Sequence, residues 1–374
     1  PRRSELPALR VEPVTCAELR TLLPLDTLML CYVSTGVGLH ENPLLACMPA
    51  AAASLHTCLA FPARLICFAV TKDAVRVVPC DLDPNLLHSA APGLADGRRF
   101  LRPTILRRLY DALLAPVADL IAAATDLILV PHGPLHQVPF AALRNAAGQP
   151  LLDQVATLRY TPSATVFVRA AGAAVTALKS CLALGYDGGA RALRHTEAEA
   201  VAVAAITGGE FQRGEAGIVA RLVASAGMFR YLHLACHGQF DTRDPLGSWL
   251  EVGPGERLSA AEVIAQLRLQ ADLVVLSACR SGVSQILRGD EPLGLARAFL
   301  QVGARAVLVT LWPVEDRSAR LLMEHFYRAL LVAGEHGDAA AALAAAQRAL
   351  RTSEGYTDEQ FWAAYVLITS GAAP

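Results

Sequence analysis

The sequence predicts an α/β fold built on a parallel sheet in two related halves, and three observations lead there. Short apolar runs alternate with amphipathic helical runs through the second half of the chain, the pattern of strands joined by crossover helices. The 374 residues, 53% apolar and 18% charged, exceed what one hydrophobic core usually organises, so two subdomains are expected. Two segments also echo each other: LILVPHG at Leu127–Gly133 and LHLACHG at Leu232–Gly238 are both apolar runs ending in His-Gly.

The first half carries two early strand-like runs, Thr27–Ser34 (TLMLCYVS) and Arg64–Val78 (RLICFAVTKDAVRVV), rich in β-branched and aromatic residues. Lys72-Asp73 is the turn within the second. The Ala-rich stretch between them, residues 36–63, matches no regular element and is expected to be an irregular insertion. Leu and Ile recur at helical spacing over Thr104–Ala124, and Asp126–Val130 (DLILV) is a buried-type strand.

The second half alternates more clearly. Cys181–Gly185, Tyr231–Ala235, Leu273–Ser277 and Ala306–Leu311 are strands, with a final one near Tyr365–Ile368. Helices are expected over Glu197–Thr207, over Ser259–Gln266 capped by Ser259, and over Pro292–Val302 closed by Gly303. Two more fall around Ser318–Leu331 and Ala339–Arg351.

Charge narrows the class of partner. With 33 basic and 34 acidic residues the formal net charge is −1, so nothing attracts nucleic acid or an anionic membrane. Nine cysteines, an odd number without a CxxC pair, suggest neither a disulfide framework nor a zinc site and suit a reducing cytoplasm. Residues 42–63 carry no charge, but Pro43, Pro49 and Pro62 with Ser54, His56 and Thr57 oppose a membrane-spanning helix. No signal peptide is visible, and a first residue of proline suggests a piece of a longer protein.

Ligands of open parallel sheets sit beyond the carboxyl ends of the strands. Two such ends hold reactive side chains: YLHLA runs into Cys236-His237-Gly238, and LVVLS into Ala278-Cys279-Arg280-Ser281-Gly282. If these strands are neighbours, an imidazole meets a thiol, the arrangement of an activated sulfur nucleophile. Gly238 permits close backbone approach, so its N–H and that of Cys279 are positioned to face a developing oxyanion. A single Cys after an apolar strand is ordinarily a small buried hydrophobe, and a lone His before Gly a loop or capping residue. Joint placement at two strand ends lifts this pair above that reading. Cys236, alternating with His237, should point into the core. His132 and His136 are four apart, but Pro131 and Pro134 exclude a metal-binding helix, and no cofactor or metal is expected. Thr35-Gly36-Val37-Gly38 lacks the third glycine and following helix of a dinucleotide motif.

The runs YLHLACHGQFDTRDPLGSWL, LSAAEV, LVVLSACRSG and RGDEPLGLARAFLQVGARAVLVTLWPVED, together with PHGPLHQVPFAAL (Pro131–Leu143), resemble the CHAT domain family. The resemblance covers about Leu23 to the C-terminus except residues 36–63, where relatives have a short turn. It implies a caspase-like α/β sandwich, akin to separases and gingipains: a degenerate half over residues 1–175 and a catalytic half over 176–374. It implies a His237–Cys279 dyad, an oxyanion hole from the Gly238 and Cys279 amides, and a structural role for His132. It also implies a cysteine endopeptidase acting on protein substrates in bacterial stress, defence or death signalling, often with TPR repeats or another sensor upstream; none is visible here. Trp312-Pro313-Val314-Glu315-Asp316 is similar to a separase segment, so Glu315 or Asp316 is a candidate to favour a basic P1 residue and Trp312 to wall its pocket. Asp316 capping the helix near Ser318, and Asp290 and Glu291 simply preceding a helix, are the plainer alternatives. Two other classes stay open: a catalytically silent adaptor, and a thiol acyl-transferase using the same dyad.

Overall fold

The computed structural model describes residues 13–35, 64–82, 101–169, 179–188, 195–239, 244–277, 294–332 and 337–371. The insertion expected at 36–63, and Cys279, Gly282, Asp290 and Glu291, lie outside these residues.

Helix α1 (Cys16–Leu22) opens on a capping box, Thr15 and Glu18 each accepting the other's backbone N–H. Strand β1 (Thr27–Thr35) pairs antiparallel with β2 (Arg64–Val70), which turns at Lys72-Asp73 into β3 (Val75–Cys80). The helix expected over Thr104–Ala124 is instead two, α2 (Pro103–Leu113) and α3 (Ala118–Ala123), separated by a 3-10 turn at Ala115–Val117. Pro116 causes the break, since it brings no N–H and its ring clashes with the preceding turn of a continuous helix. Strands β4 (Asp126–Val130) and β5 (Thr157–Tyr160) and helix α4 (Ala164–Arg169) complete this half.

The second half runs β6 (Lys179–Gly185), α5 (Thr196–Thr207), β7 (Glu210–Arg213), α6 (Ile218–Ser225) and β8 (Phe229–Ala235). A small antiparallel sheet follows, β9 (His237–Gln239), β10 (Trp249–Gly253) and β11 (Glu256–Ser259). Next come α7 (Ala260–Gln266), β12 (Leu273–Ser277), α8 (Gly294–Gln301) and β13 (Ala306–Thr310). The chain then forms α9 (Asp316–Val332), α10 (Ala339–Arg351), α11 (Glu359–Trp362) and β14 (Tyr365–Thr369). Ser259 caps α7 through a capping box with Glu262, as expected. Gly303 ends α8 with φ 113°, and a Cβ there would meet the Leu269 carbonyl oxygen at 2.1 Å.

All strands but β9–β11 join one 11-stranded sheet of order β3-β2-β1-β4-β5-β14-β13-β12-β8-β6-β7. It is mixed rather than parallel throughout. The hairpin β2–β3 reverses direction through a tight turn, and β14 runs antiparallel to β13 while pairing parallel with β5 at Ile368↔Tyr160. The two halves of the sequence therefore occupy opposite ends of one sheet, and a single hydrophobic cluster runs through both. Polar ties reinforce the seam: Arg159, 6% exposed, reaches Asp338 at 2.8 Å, and Arg348 and Arg351 bind the Val155 carbonyl and the Asp153 carboxylate, each at 2.8 Å.

Sheet order fixes the helix layers. The chain moves outward from β6 to β7, then back through β8, β12 and β13, so right-handed crossovers put α5 on one face and α6, α7 and α8 on the other. Helix α9 packs against α5 and α10, completing the first of these layers. Among the described residues, no helix is long and apolar enough to cross a membrane.

Candidate functional site

The reversal between β6 and β8 is a topological switch point, the place in open α/β sheets where a crevice forms beyond the carboxyl ends of the strands. Strands β8 and β12 are parallel neighbours, in register from Tyr231↔Leu273 to Ala235↔Ser277. Their ends are tied by the Cys236 N–H donating to the Ser277 carbonyl at 3.3 Å. One strand then continues into His237 and Gly238, which are described. The other continues into Ala278 and Cys279, which lie outside the described residues.

His237 is 8% exposed. It opens β9, opposite Glu251 of β10, while Gly238 is buried opposite Leu250. Cys236 is fully buried, as its alternation predicted, and burial holds its thiol far above the ordinary range, with the Glu251 charge adding to the effect. It is no competing nucleophile. The same holds for Cys31 and Cys181, both pushed up to about 12, and for Cys80, at about 11, in each case by desolvation first.

Below His237 lies a group that the sequence reading missed. His233 in β8 is completely buried; its Nε2 lies 3.0 Å from Glu199 of α5 and its Nδ1 3.3 Å from the Tyr327 hydroxyl of α9. Burial raises the Tyr327 phenol well above its usual range, keeping it protonated. The trio joins β8, the strand that leads into His237, to α5 and α9 on one face of the sheet. Its sequence signal was a polar residue inside the apolar run YLHLA and a carboxylate on the inward stripe of an amphipathic helix. At the neighbouring strand end, the Tyr186 N–H donates to the Ala235 carbonyl at 3.0 Å, and the Asp187 carboxylate accepts from the Thr196 hydroxyl and, at 2.8 Å, from the Glu197 N–H.

The candidate specificity residues lie at the end of β13. Trp312 is 1% exposed within the core, its indole N–H donated to the Gln360 carbonyl at 2.9 Å. Glu315 is exposed and caps α9, its carboxylate accepting the Ser318 N–H at 3.2 Å. Capping therefore falls to Glu315 rather than Asp316, which is half-buried as the first residue of the helix. The helix starts two residues earlier than Ser318, and this carboxylate satisfies one of its first free amides.

The first half has its own residues at the corresponding positions. Leu129 pairs with Tyr160 as Leu234 pairs with Leu276, so aligning the two His-Gly segments sets Ser163 where Cys279 stands in the sequence. Its hydroxyl accepts the Val166 N–H at 3.1 Å, a helix-capping role at α4. His132 lies 2.8 Å from the Ser34 hydroxyl through Nδ1. Among the described residues, no group of three or more His, Cys, Asp or Glu side chains is placed to hold a metal.

A family model described as CHAT domain matches residues 103–370. Tetratricopeptide repeat protein 28 of Homo sapiens is 36% identical over 113 residues, covering 30% of this chain and 4% of that protein. Its Mus musculus counterpart is 25% identical over 329 residues, covering 71% of this chain and 13% of that protein. The chain thus spans a small fraction of the length of either relative. Among solved structures, the Arg-specific cysteine proteinase gingipain R is similar with TM-score 0.43 and 9% identity, covering 71% of this chain and 66% of that one. A Saccharomyces cerevisiae separase–securin complex is similar with TM-score 0.41 and 13% identity, covering 65% of this chain and 15% of that one.

Proposed function

The chain belongs to the CHAT domain family, and from that premise we propose that it is a caspase-like cysteine endopeptidase with His237 and Cys279 as its dyad. The observation that carries the reading is the pairing of β8 with β12, whose in-register ends lead directly into these two residues. His237 takes the Cys279 thiol proton, and the thiolate attacks the scissile carbonyl carbon of a protein substrate. The oxyanion of the tetrahedral intermediate accepts hydrogen bonds from the Gly238 and Cys279 N–H groups. His237 then protonates the leaving amine, and water, deprotonated by His237, hydrolyses the thioester to release the acid.

Asp316, half-buried at the start of α9, or Glu315 beside it is the candidate for selecting a basic P1 side chain, with Trp312 as the candidate wall of its pocket. Both matched relatives are tetratricopeptide repeat proteins, which supports a repeat segment as the element that presents or regulates this domain.

The test compares new protein N-termini in a lysate treated with the wild-type protein or with Cys279→Ala. Termini specific to wild type support proteolysis and read out the P1 residue, with basic P1 lost in Asp316→Asn. Matching samples, combined with no preferential alkylation of Cys279, would replace the peptidase by a non-catalytic adaptor.

A further inference from the structure

The three-stranded sheet that carries His237 sets a row of charge beside it. His237 of β9 pairs with Glu251 of β10, and Glu251 pairs in turn with Arg257 of β11. Directly opposed residues of antiparallel strands project to the same face with Cβ atoms about 5 Å apart, so imidazole, carboxylate and guanidinium alternate across one surface. The opposite face, with Gly238, Leu250 and Leu258, is buried.

The ends of this row are unequal. Arg257 lies over the Trp249 ring, its guanidinium carbon 4.0 Å from the ring centre. Glu251 remains half-buried between the two. Its charge is felt at the neighbouring site residues, where it adds to burial in raising both the Cys236 thiol and the Tyr186 phenol.

We propose that Glu251 is the positioning residue of His237, a through-space carboxylate that stabilises the imidazolium of the thiolate–imidazolium pair from the adjacent strand. The inference rests on His237 being the base of the proposed dyad. Three neighbouring groups at this rim are engaged in other ways. Cys236 and Tyr186 are driven toward their neutral forms, and the Asp187 carboxylate holds Thr196 and the Glu197 amide. Glu251 is the carboxylate in direct register with the imidazole.

The protonation of His237 tests this without requiring turnover. In the whole chain labelled at histidine Cε1, the His237 resonance is assigned by its loss in His237→Gln and followed through a pH titration. Glu251→Gln is expected to lower its midpoint by about one pH unit, because a nearby carboxylate favours the charged imidazole. Glu251→Asp should restore most of the shift. Arg257→Gln, which removes the opposing charge, should move the midpoint up and serves as the second arm if Glu251→Gln does not fold. A midpoint unchanged in the folded variants overturns the proposal. Selective alkylation of Cys279 is read separately: its absence alongside a shifted midpoint would count against the peptidase and leave the Glu251–His237 coupling standing.

Discussion

Replacing Glu199 by leucine probes the group that holds β8 in place. The substitution removes the carboxylate 3.0 Å from His233 Nε2 and leaves that nitrogen unpaired at zero exposure. Leaving a buried polar group without its partner costs about 1–3 kcal/mol, since the surviving group keeps its desolvation penalty. The exposed pair Arg76–Asp119, 2.7 Å apart with side chains 43% and 62% exposed, provides the control. Arg76→Ala is expected to cost much less, since a solvent-exposed ion pair adds little to stability. The double variant Glu199→Leu/His233→Leu should be less unstable than the sum of its parts, because the two leucines leave only the Tyr327 hydroxyl without its partner. Urea unfolding of the wild type, Glu199→Leu, His233→Leu, the double variant and Arg76→Ala gives each free energy and the coupling between the two buried sites. A Glu199→Leu cost no larger than that of Arg76→Ala, or a double variant as unstable as the sum of its parts, would refute the reasoning.

With iodoacetamide at neutral pH, Cys279 should label first and exposed Cys16 next, while Cys31, Cys67, Cys80, Cys181 and Cys236 lag until denaturant is added; mass spectrometry of timed samples reads the order. Stability should fall at alkaline pH. Buried thiols with raised values stay protonated in the fold while the unfolded chain ionises above about pH 9, so each costs about 1.4 kcal/mol per pH unit from there toward its folded value of 11 to 12. Melting temperatures that stay flat from pH 8 to 11 would contradict this. Trp312→Ala should cost about 3–5 kcal/mol by emptying a fully buried site and freeing the Gln360 carbonyl, measured by urea unfolding.

Much of the fold was legible because its strands are buried and uniform. LVVLS and AVLVT show themselves by hydrophobicity alone, and the Ser259 and Gly303 signals marked helix ends where the caps formed. What escaped depended on distant partners. TLRY was passed over because Arg159 interrupts it, yet that arginine is buried against Asp338, 179 residues away. The small sheet β9–β11 uses short, mixed strands whose stability comes from covering Leu250 and Leu258 rather than from pattern. At the candidate site, His237 and Gly238 were visible as a strand end followed by glycine. The Glu199–His233–Tyr327 trio was not, since three residues spread over 129 positions have no shared sequence signature.

The position of β14 has a consequence for how the molecule is made. This strand follows every other in the sequence, yet it sits between β5 and β13, near the middle of the sheet. Until it arrives during synthesis, β5 and β13 each present an open edge of backbone donors and acceptors, and neither half is closed. The contacts that complete the sheet span the chain from Tyr160 to Ile368, which favours slow, late closure and a long interval in which strands can pair with other chains. Any event that withholds this last strand would therefore open two edges at once, exposing both halves to aggregation while leaving their individual sequences intact.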